Sequence, residues 1–483
     1  MKTVCSPMGQ LIGLSNKASL NSQIAIAIEM AESSMDRKKE LEEICNYFVD
    51  NYQGFAQRSE EWHKTINITV GGSEVAKLMG TSAESKAYTL AKEKLAALMG
   101  APRWAGVPAC WWGSLFEDAL ALVVGEDLGG TVVGDNICIQ AVPGHRNSPD
   151  GYIVAAVENK TKVLRARDIK HILESDHSRT LDYEILLLEF KCPISRYPKE
   201  NEVPPQYIPQ LLSGLAVSPD ASRGLFVDAV FCKCAFADFD DVNMEVQNAN
   251  ASMEVQSMEV QSTEVQSINM SMKHDTDYHK CFHDCQHICR SDTPYAWGVV
   301  KLYTVPDTTN SISLLNCDLK SVKYLPNSNI IDLGAANTAT FNKALQDISE
   351  KRLVAVHCRP TIAGNITKIE DIVDYTSELT SELTSELVAI IPWKLAPPVY
   401  CIVNRQEGFL ESLQPLITKI HKSVSEALET PNPSEYLLSC FDVKPRKKTK
   451  IAAIVNDPAS ETASETASEL ASSTQAQFKK MYK

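Results

Sequence analysis

Two acids and a lysine sit where strand geometry would bring them together. The run "ILLLEFKCP" (185–193) begins as an apolar strand, then sets Glu189 and Lys191 with one residue between them and ends in Pro193. Residues i and i+2 share a strand face, so an acid and a base stand side by side at the rim of a run that reads as buried. Upstream, "HRNSPDGYIVA" carries Asp150 in Ser-Pro-Asp-Gly, a turn signal that opens another strand. Glu117 lies in "WWGSLFEDALALVVGEDLGG" (111–130), whose apolar residues recur three and four apart before a glycine pair, the pattern of a helix. A hard divalent cation takes oxygen ligands from one or two carboxylates, water and a substrate phosphate. Asp150 and Glu189 at neighbouring strand ends, with the Phe190 carbonyl as a third oxygen, would make such a site. Lys191 would face the same water or phosphate and steady developing charge there. Taken singly these signals are weak, because most E-x-K pairs are solvated ion pairs contributing ~0–1 kcal/mol. Their order carries the reading: helix Glu, S-P-D-G, strand-E-F-K, then a Gln-bearing helix.

The elements that must position these residues read as mixed α/β. Residues 18–52 have helical periodicity. "VGGSEVAKLMG" (70–80) is a glycine turn, a serine and an apolar-periodic helix closed by Gly80. "TVVGDNICIQ", "DGYIVAAVE" and "EILLLEFKCP" are β-rich, and "PPQYIPQLLSGLAVS" (204–218) is a helix with prolines near its start. "GLFVDAVFCKCAFADF" (224–239) reads as a strand running into a turn, with "YAWGVVKLYTV" (295–305) as its partner. Between Asp150 and Glu189 the charged excursion "KTKVLRARDIKHILESDHSR" is a DNA contact or, on the favoured reading, a solvated hairpin. Three low-complexity stretches interrupt the pattern: 244–267 (MEVQS-like), 376–387 (TSEL) and 459–473 (ASET-like). They read as expansions tolerated in loops and a tail, the first decorating one hairpin and the second extending a helix.

Composition narrows the class. The chain has 483 residues, 44% of them hydrophobic, and a formal net charge of −14. That is an ordinary globular composition, and the acidity argues against a general nucleic-acid coat while leaving room for a local basic groove. No eighteen-residue apolar run exists, so no membrane-spanning helix is expected, and the N-terminus does not read as a secretory signal. The 14 cysteines are scattered, which fits a reducing, intracellular compartment better than a disulfide scaffold.

Together the motifs resemble the PD-(D/E)XK nuclease superfamily, and within it the YqaJ-like viral recombinase and lambda-type exonuclease family. The similarity runs from about Gln57 to Leu215. It rests on "QRSEEWHKTINITVGGSEVAKLMG", "WGSLFEDAL", "NSPDGYI", "LEFKCP" and "PPQYIPQLLSGL". The resemblance implies a restriction-endonuclease-like core, a central mixed sheet flanked by helices, occupying 56–430 with insertions at about 244–290 and 376–387. A helical extension (1–55) would precede it and a flexible basic, low-complexity tail (431–483) follow it. It also implies a metal-dependent deoxyribonuclease, a 5′→3′ exonuclease on double-stranded DNA ends that can feed recombination through a single-strand annealing protein. Two Mg²⁺ or Mn²⁺ ions would be held by Asp150, Glu189 and the Phe190 carbonyl, with Glu117 in support. Lys191 and Gln210 would act on water or phosphate, and Ser73, Lys64 and Tyr207 on the DNA.

One departure stands out: where the family has an arginine after Trp-His that helps hold the 5′-phosphate, this chain has Ile66. Lys64 could substitute from a different register. An endonuclease of the same superfamily, or a non-catalytic DNA-binding scaffold, therefore remains as an alternative. Separately, "KHDTDYHKCFHDCQHICR" (273–290) repeats Cys281, Cys285 and Cys289, and likewise His283 and His287, four apart. These could supply a tetrahedral zinc site. The spacing is no CxxC pair and adjoins a repeat, so a fortuitous insertion is the favoured reading. "KPRKKTK" (444–450) reads as a nuclear-localisation or DNA-contact patch, or as a solvated linker; a nuclear or cytoplasmic site in a host cell would follow if the chain is viral.

Overall fold

The structure is a computed structural model that describes residues 34–101, 106–175, 181–194, 196–236, 295–305, 323–324, 330–358, 360–362 and 386–443. The Cys/His stretch, the repeats at 244–267 and 459–473, and the basic run at 444–450 lie outside the described residues, as does most of 376–387.

In chain order, helix α1 (34–51), strand β1 (Gly54–Ala56), α2 (Glu60–Thr65) and β2 (Val70–Gly71) precede a 3₁₀ segment, Gly72–Leu78. Then come α3 (Ala83–Leu98), α4 (Pro108–Leu128), β3 (Ile137–Ile139), β4 (His145–Arg146), β5 (Gly151–Glu158), β6 (Lys162–Val163), α5 (Ala166–Ser175), β7 (Tyr183–Lys191), α6 (Ile208–Val217), β8 (Arg223–Asp228) and β9 (Phe231–Lys233). The C-terminal part adds β10 (Ala296–Thr304), β11 (Lys323–Tyr324), β12 (Ile331–Asp332), α7 (Thr338–Ser349), β13 (Leu353–His357), β14 (Thr361–Ile362), β15 (Leu387–Leu395), β16 (Val399–Asn404), α8 (Phe409–Ala427) and α9 (Pro433–Ser439).

Two main sheets, rather than one central sheet, organise these elements. The first is mixed, in the order β16-β8-β7-β5-β6, with β7 antiparallel to β5 and parallel to β8. The second runs β11-β12-β15-β10-β13, with β14 on β10 and β9 on β15. Strand β7 is an unbroken apolar run because both of its faces are covered. Leu186, Leu188 and Phe190 face α4, whereas Ile185 and Leu187 face the cluster containing α3, α6 and α8. Each such buried side chain contributes about 1.5–3 kcal/mol. Helix α4 lies between the sheets: Phe116 and Leu120 share one core with Ile153 of β5 and with Phe231, Ile391 and Trp393. Pro108 opens α4 at a position that needs no N–H, and Gly129 closes it in the left-handed region (φ 67°).

Several expectations change. The stretch at 70–80 forms a 3₁₀ segment, not an α-helix; the Glu74 carboxylate turns back to accept the Gly71 N–H at 2.7 Å. Strand β10 does not pair with the 224–239 region: β15 separates β9 from β10, so the segment between them joins two strands that are not hairpin partners. Leu387, the last residue of the TSEL repeat, opens strand β15; residues 376–385, where the repeat reads as extending a helix, lie outside the described residues. The charged excursion is a hairpin only at its start, where β6 pairs antiparallel with the end of β5; it continues as helix α5, whose Ile169, Ile172 and Leu173 pack on Leu164 and Leu181. Among the described residues no helix is long and apolar enough to cross a membrane.

Candidate active site

The site forms where β5 begins and β7 ends. Antiparallel pairing sets Gly151 opposite Leu188, which brings Asp150, one residue outside β5, beside Glu189. The Asp150 N–H donates to the Leu188 carbonyl at 3.2 Å, and the Phe190 N–H donates to Asp150 Oδ2 at 2.6 Å. The Lys191 ammonium donates to Glu189 Oε1 and, at 2.7 Å, to the Phe190 carbonyl. Glu189 is buried, only 2% exposed. The strand alternation read from sequence thus brings Asp150, Glu189, the Phe190 carbonyl and Lys191 together. Glu117 reaches the same place from α4: with Asp118, Asp150 and Phe190 it lines a cleft of about 170 Å³.

Charge crowding dominates the electrostatics. Burial, then the nearby Asp150, pushes the Glu117 carboxyl up to about 7. Burial pushes Glu189 up to about 8, with Asp150 and Glu117 adding to the rise against the pull of Lys191. Asp150 is also raised by burial, opposed by Lys191 and the Phe190 N–H. Burial alone would discharge Lys191, but Glu189, Asp150 and Glu117 outweigh it and hold the ammonium charged. Three carboxylates thus share one half-buried cation, an excess of negative charge of the kind that gathers at functional sites.

An all-oxygen set with surplus negative charge suits a hard divalent cation. Among the described residues no group of three or more His, Cys, Asp or Glu side chains stands close enough to hold a metal ion by itself. The Lys191 ammonium lies instead on the Glu189 and Phe190 oxygens, a cation standing in where a metal would take the same donors.

The surrounding residues divide. Tyr207, at the start of α6, lays its ring 5.2 Å from the Lys191 ammonium and 5.7 Å from the Arg196 guanidinium, with Phe226 stacked behind it at 5.5 Å. Arg196 is paired with the buried Asp228. Tyr207 is therefore placed to steady the Lys191 ammonium. Gln210 is half-buried on the first turn of α6. Ser73 is exposed on the 3₁₀ segment, which packs against α6. The exposed Lys64 pairs with Glu60 at 2.7 Å, its own helical neighbour, and the structure does not bring it to the carboxylates.

Two arginines were not legible as site residues. Arg146 leaves β4 and lies against Gly71, where a Cβ would come within 3.0 Å of its Nη2, and 5.6 Å from the Trp62 ring. Its Nε is buried without a hydrogen-bond partner among the described residues. Behind it, His145 Nδ1 donates to the Val70 carbonyl, so Nε2 accepts from Ser213 Oγ, each at 2.9 Å. Asn147 Nδ2 donates to the same hydroxyl at 3.3 Å. This buried chain ties the Gly71–Ser73 turn to α6. Arg58 lines the cleft with Gln57, Asp135 and Asn136. The only advance signal for either was its place beside a recognisable motif.

Residues 61–221 match the family model of the YqaJ-like viral recombinase domain; the segment contains Glu117, Asp150, Glu189, Lys191 and Gln210. Protein D345L of African swine fever virus, from a tick isolate from Malawi, is 25% identical over 399 residues, 82% of this chain and 92% of that protein. Its counterpart from the Vero-adapted Badajoz strain is 24% identical over the same length. Among solved structures, the crystal structure of LHK-Exo in complex with dAMP is similar at 18% identity and a TM-score of 0.23, covering 41% of this chain and 94% of that one.

Proposed function

We propose that this chain, which carries a YqaJ-like viral recombinase domain over residues 61–221, is a metal-dependent deoxyribonuclease with a PD-(D/E)XK core that resects double-stranded DNA ends 5′→3′ in recombination or repair. The observation that carries the reading is the convergence of Asp150, Glu189, the Phe190 backbone and Lys191 at the ends of adjacent strands β5 and β7. Asp150, Glu189 and the Phe190 carbonyl would hold Mg²⁺ or Mn²⁺, with Glu117 in support. A divalent cation there supplies positive charge beside the phosphate and makes nearby water more acidic.

The chain's own residues supply the rest. Lys191, held charged by its neighbours and braced by the Tyr207 ring, stabilises the negative charge that builds on the phosphate as water attacks. Gln210, one turn along α6 from Tyr207, orients water or phosphate. Ser73 and Arg146, at the Gly71–Gly72 turn, receive the terminal phosphate. Arg146 thereby supplies from β4 the cation that Ile66 does not.

The test digests linear and covalently closed circular duplex DNA of one sequence with Mg²⁺, against EDTA and Lys191→Ala controls. Loss of linear DNA alone supports end resection. Loss of both supports the endonuclease reading, in which Arg146 does not make up for Ile66. DNA binding without digestion of either supports the scaffold.

A further inference from the structure

The turn that enters α2 holds an arginine in a backbone conformation that arginine does not favour. Ser59 N–H bonds the Ala56 carbonyl at 3.2 Å, closing the four-residue turn Ala56-Gln57-Arg58-Ser59. Arg58 is its third residue, with φ 64°, while Gln57 has an ordinary negative φ. That is the sign pattern of a type II turn, whose third position belongs to glycine or asparagine. The turn is fixed on both sides. Strand β1 pairs with β3 up to Ala56, and the Gln57 N–H donates to the Asn136 carbonyl at 2.6 Å. Ser59 caps α2 by accepting the Trp62 N–H. A strained non-glycine residue that its surroundings hold in place is a pointer to function.

Its side chain says which function. Arg58 is exposed and lines the cleft beside Glu117, Asp118, Asp135 and Asp150. Among the described residues it makes no hydrogen bond and no ion pair, even with four carboxylates on the same cleft wall. A guanidinium carries five N–H donors in a planar fork that fits two oxygens of one phosphate. A phosphodiester entering a cleft lined by carboxylates needs a positive group besides any metal.

We propose that Arg58 grips a non-bridging phosphate oxygen of the DNA strand in this cleft, as a binding residue distinct from the metal-holding acids and from the Ser73–Arg146 turn. The proposal rests on the deoxyribonuclease reading. Arg58→Gly separates charge from backbone, because glycine relieves the turn while the side chain and its guanidinium are lost. Arg58→Lys keeps a point charge without the fork.

Binding of a short blunt duplex is followed by fluorescence anisotropy in Ca²⁺ over a range of salt concentrations, alongside thermal unfolding of each variant. For Arg58→Gly the expected results are an unfolding temperature equal to or above that of the wild type and a Kd about tenfold higher. The slope of log K against log salt falls by about 1, because one phosphate fewer is neutralised. Arg58→Lys keeps the slope and binds at an intermediate level. A glycine variant with wild-type Kd and slope overturns the proposal, as does one whose unfolding temperature and affinity fall together with the slope unchanged. If the wild type neither binds DNA in Ca²⁺ nor cleaves it in Mg²⁺, the deoxyribonuclease reading fails and the proposal falls with it; a wild type that cleaves, beside an equally active glycine variant, sinks the proposal alone.

Discussion

Glu117→Gln should stabilise the metal-depleted protein at alkaline pH while impairing hydrolysis. Glu117 is half-buried, and burial with Asp150 nearby lifts its carboxyl from an ordinary 4.5 to about 7. A raised carboxyl favours the folded state below pH 4.5, where both states are protonated, and that advantage is lost as pH rises through 7. At about 1.4 kcal/mol per pH unit the window is worth about 3 kcal/mol. Solvent screening at a partly exposed group brings this to ~1–2 kcal/mol. Glutamine keeps the shape and removes the charge. In EDTA at pH 8 the variant should unfold a few degrees above the wild type, and at pH 4.5 the two should coincide. In Mg²⁺ its turnover should fall about ten- to a hundredfold, the range for a residue supporting metal ligands. Thermal unfolding at both pH values, with and without Mg²⁺, is the assay. A variant no more stable than wild type at pH 8, or equally shifted at both pH values, would refute the charge-crowding account.

Three further outcomes follow from the same geometry. Burial holds His145 down to about 4, so its share of stability is present above pH 6.5 and declines by ~3 kcal/mol as pH falls to 4; NMR should show a neutral Nδ1–H tautomer at pH 5.5, and a ring titrating near 6.5 would contradict the buried chain to Ser213. Tyr207→Phe should keep near-normal turnover because the ring remains over Lys191, whereas Tyr207→Leu forfeits ~0.5–2 kcal/mol of cation–π interaction and should cut kcat more than KM; equal loss in both variants would assign the role to the hydroxyl. Asp127, on α4, is buried, accepts hydrogen bonds from Tyr295 and Tyr400 and lies 3.5 Å from Arg165. Asp127→Ala should cost ~3–5 kcal/mol in chemical denaturation by leaving Arg165 without its counter-charge, and a loss under ~1 kcal/mol would show that the cluster does not join the sheets.

The acids at the site were legible because their positions follow from local rules. Ser-Pro-Asp-Gly opens a strand, and strand alternation puts Glu189 and Lys191 on one face; antiparallel pairing of β5 with β7 then needs only the usual neighbour relation. Helix α4 was legible from its period and closing glycine. What sequence did not show is decided by distant partners. Strand β10 pairs with β15, some ninety positions along the chain, and no local pattern at 295–305 distinguishes that partner from β9. Arg146 reaches Gly71 only because β4 pairs with β2. Arg58 sits where turn statistics ask for glycine, so a local rule broken at the cleft was the one hint of it.

Hydrolysis of a 5′-phosphorylated linear duplex in Mg²⁺ by the wild type and by Asp150→Asn isolates the metal-holding carboxylate, because the amide keeps the size of the side chain and gives up the charge that would hold the metal. The wild type should degrade the duplex and EDTA should stop it, and Asp150→Asn should bind the DNA but cleave it at least about a thousandfold more slowly. Cleavage by Asp150→Asn at the wild-type rate, or by the wild type undiminished in EDTA, would contradict the metal-dependent reading.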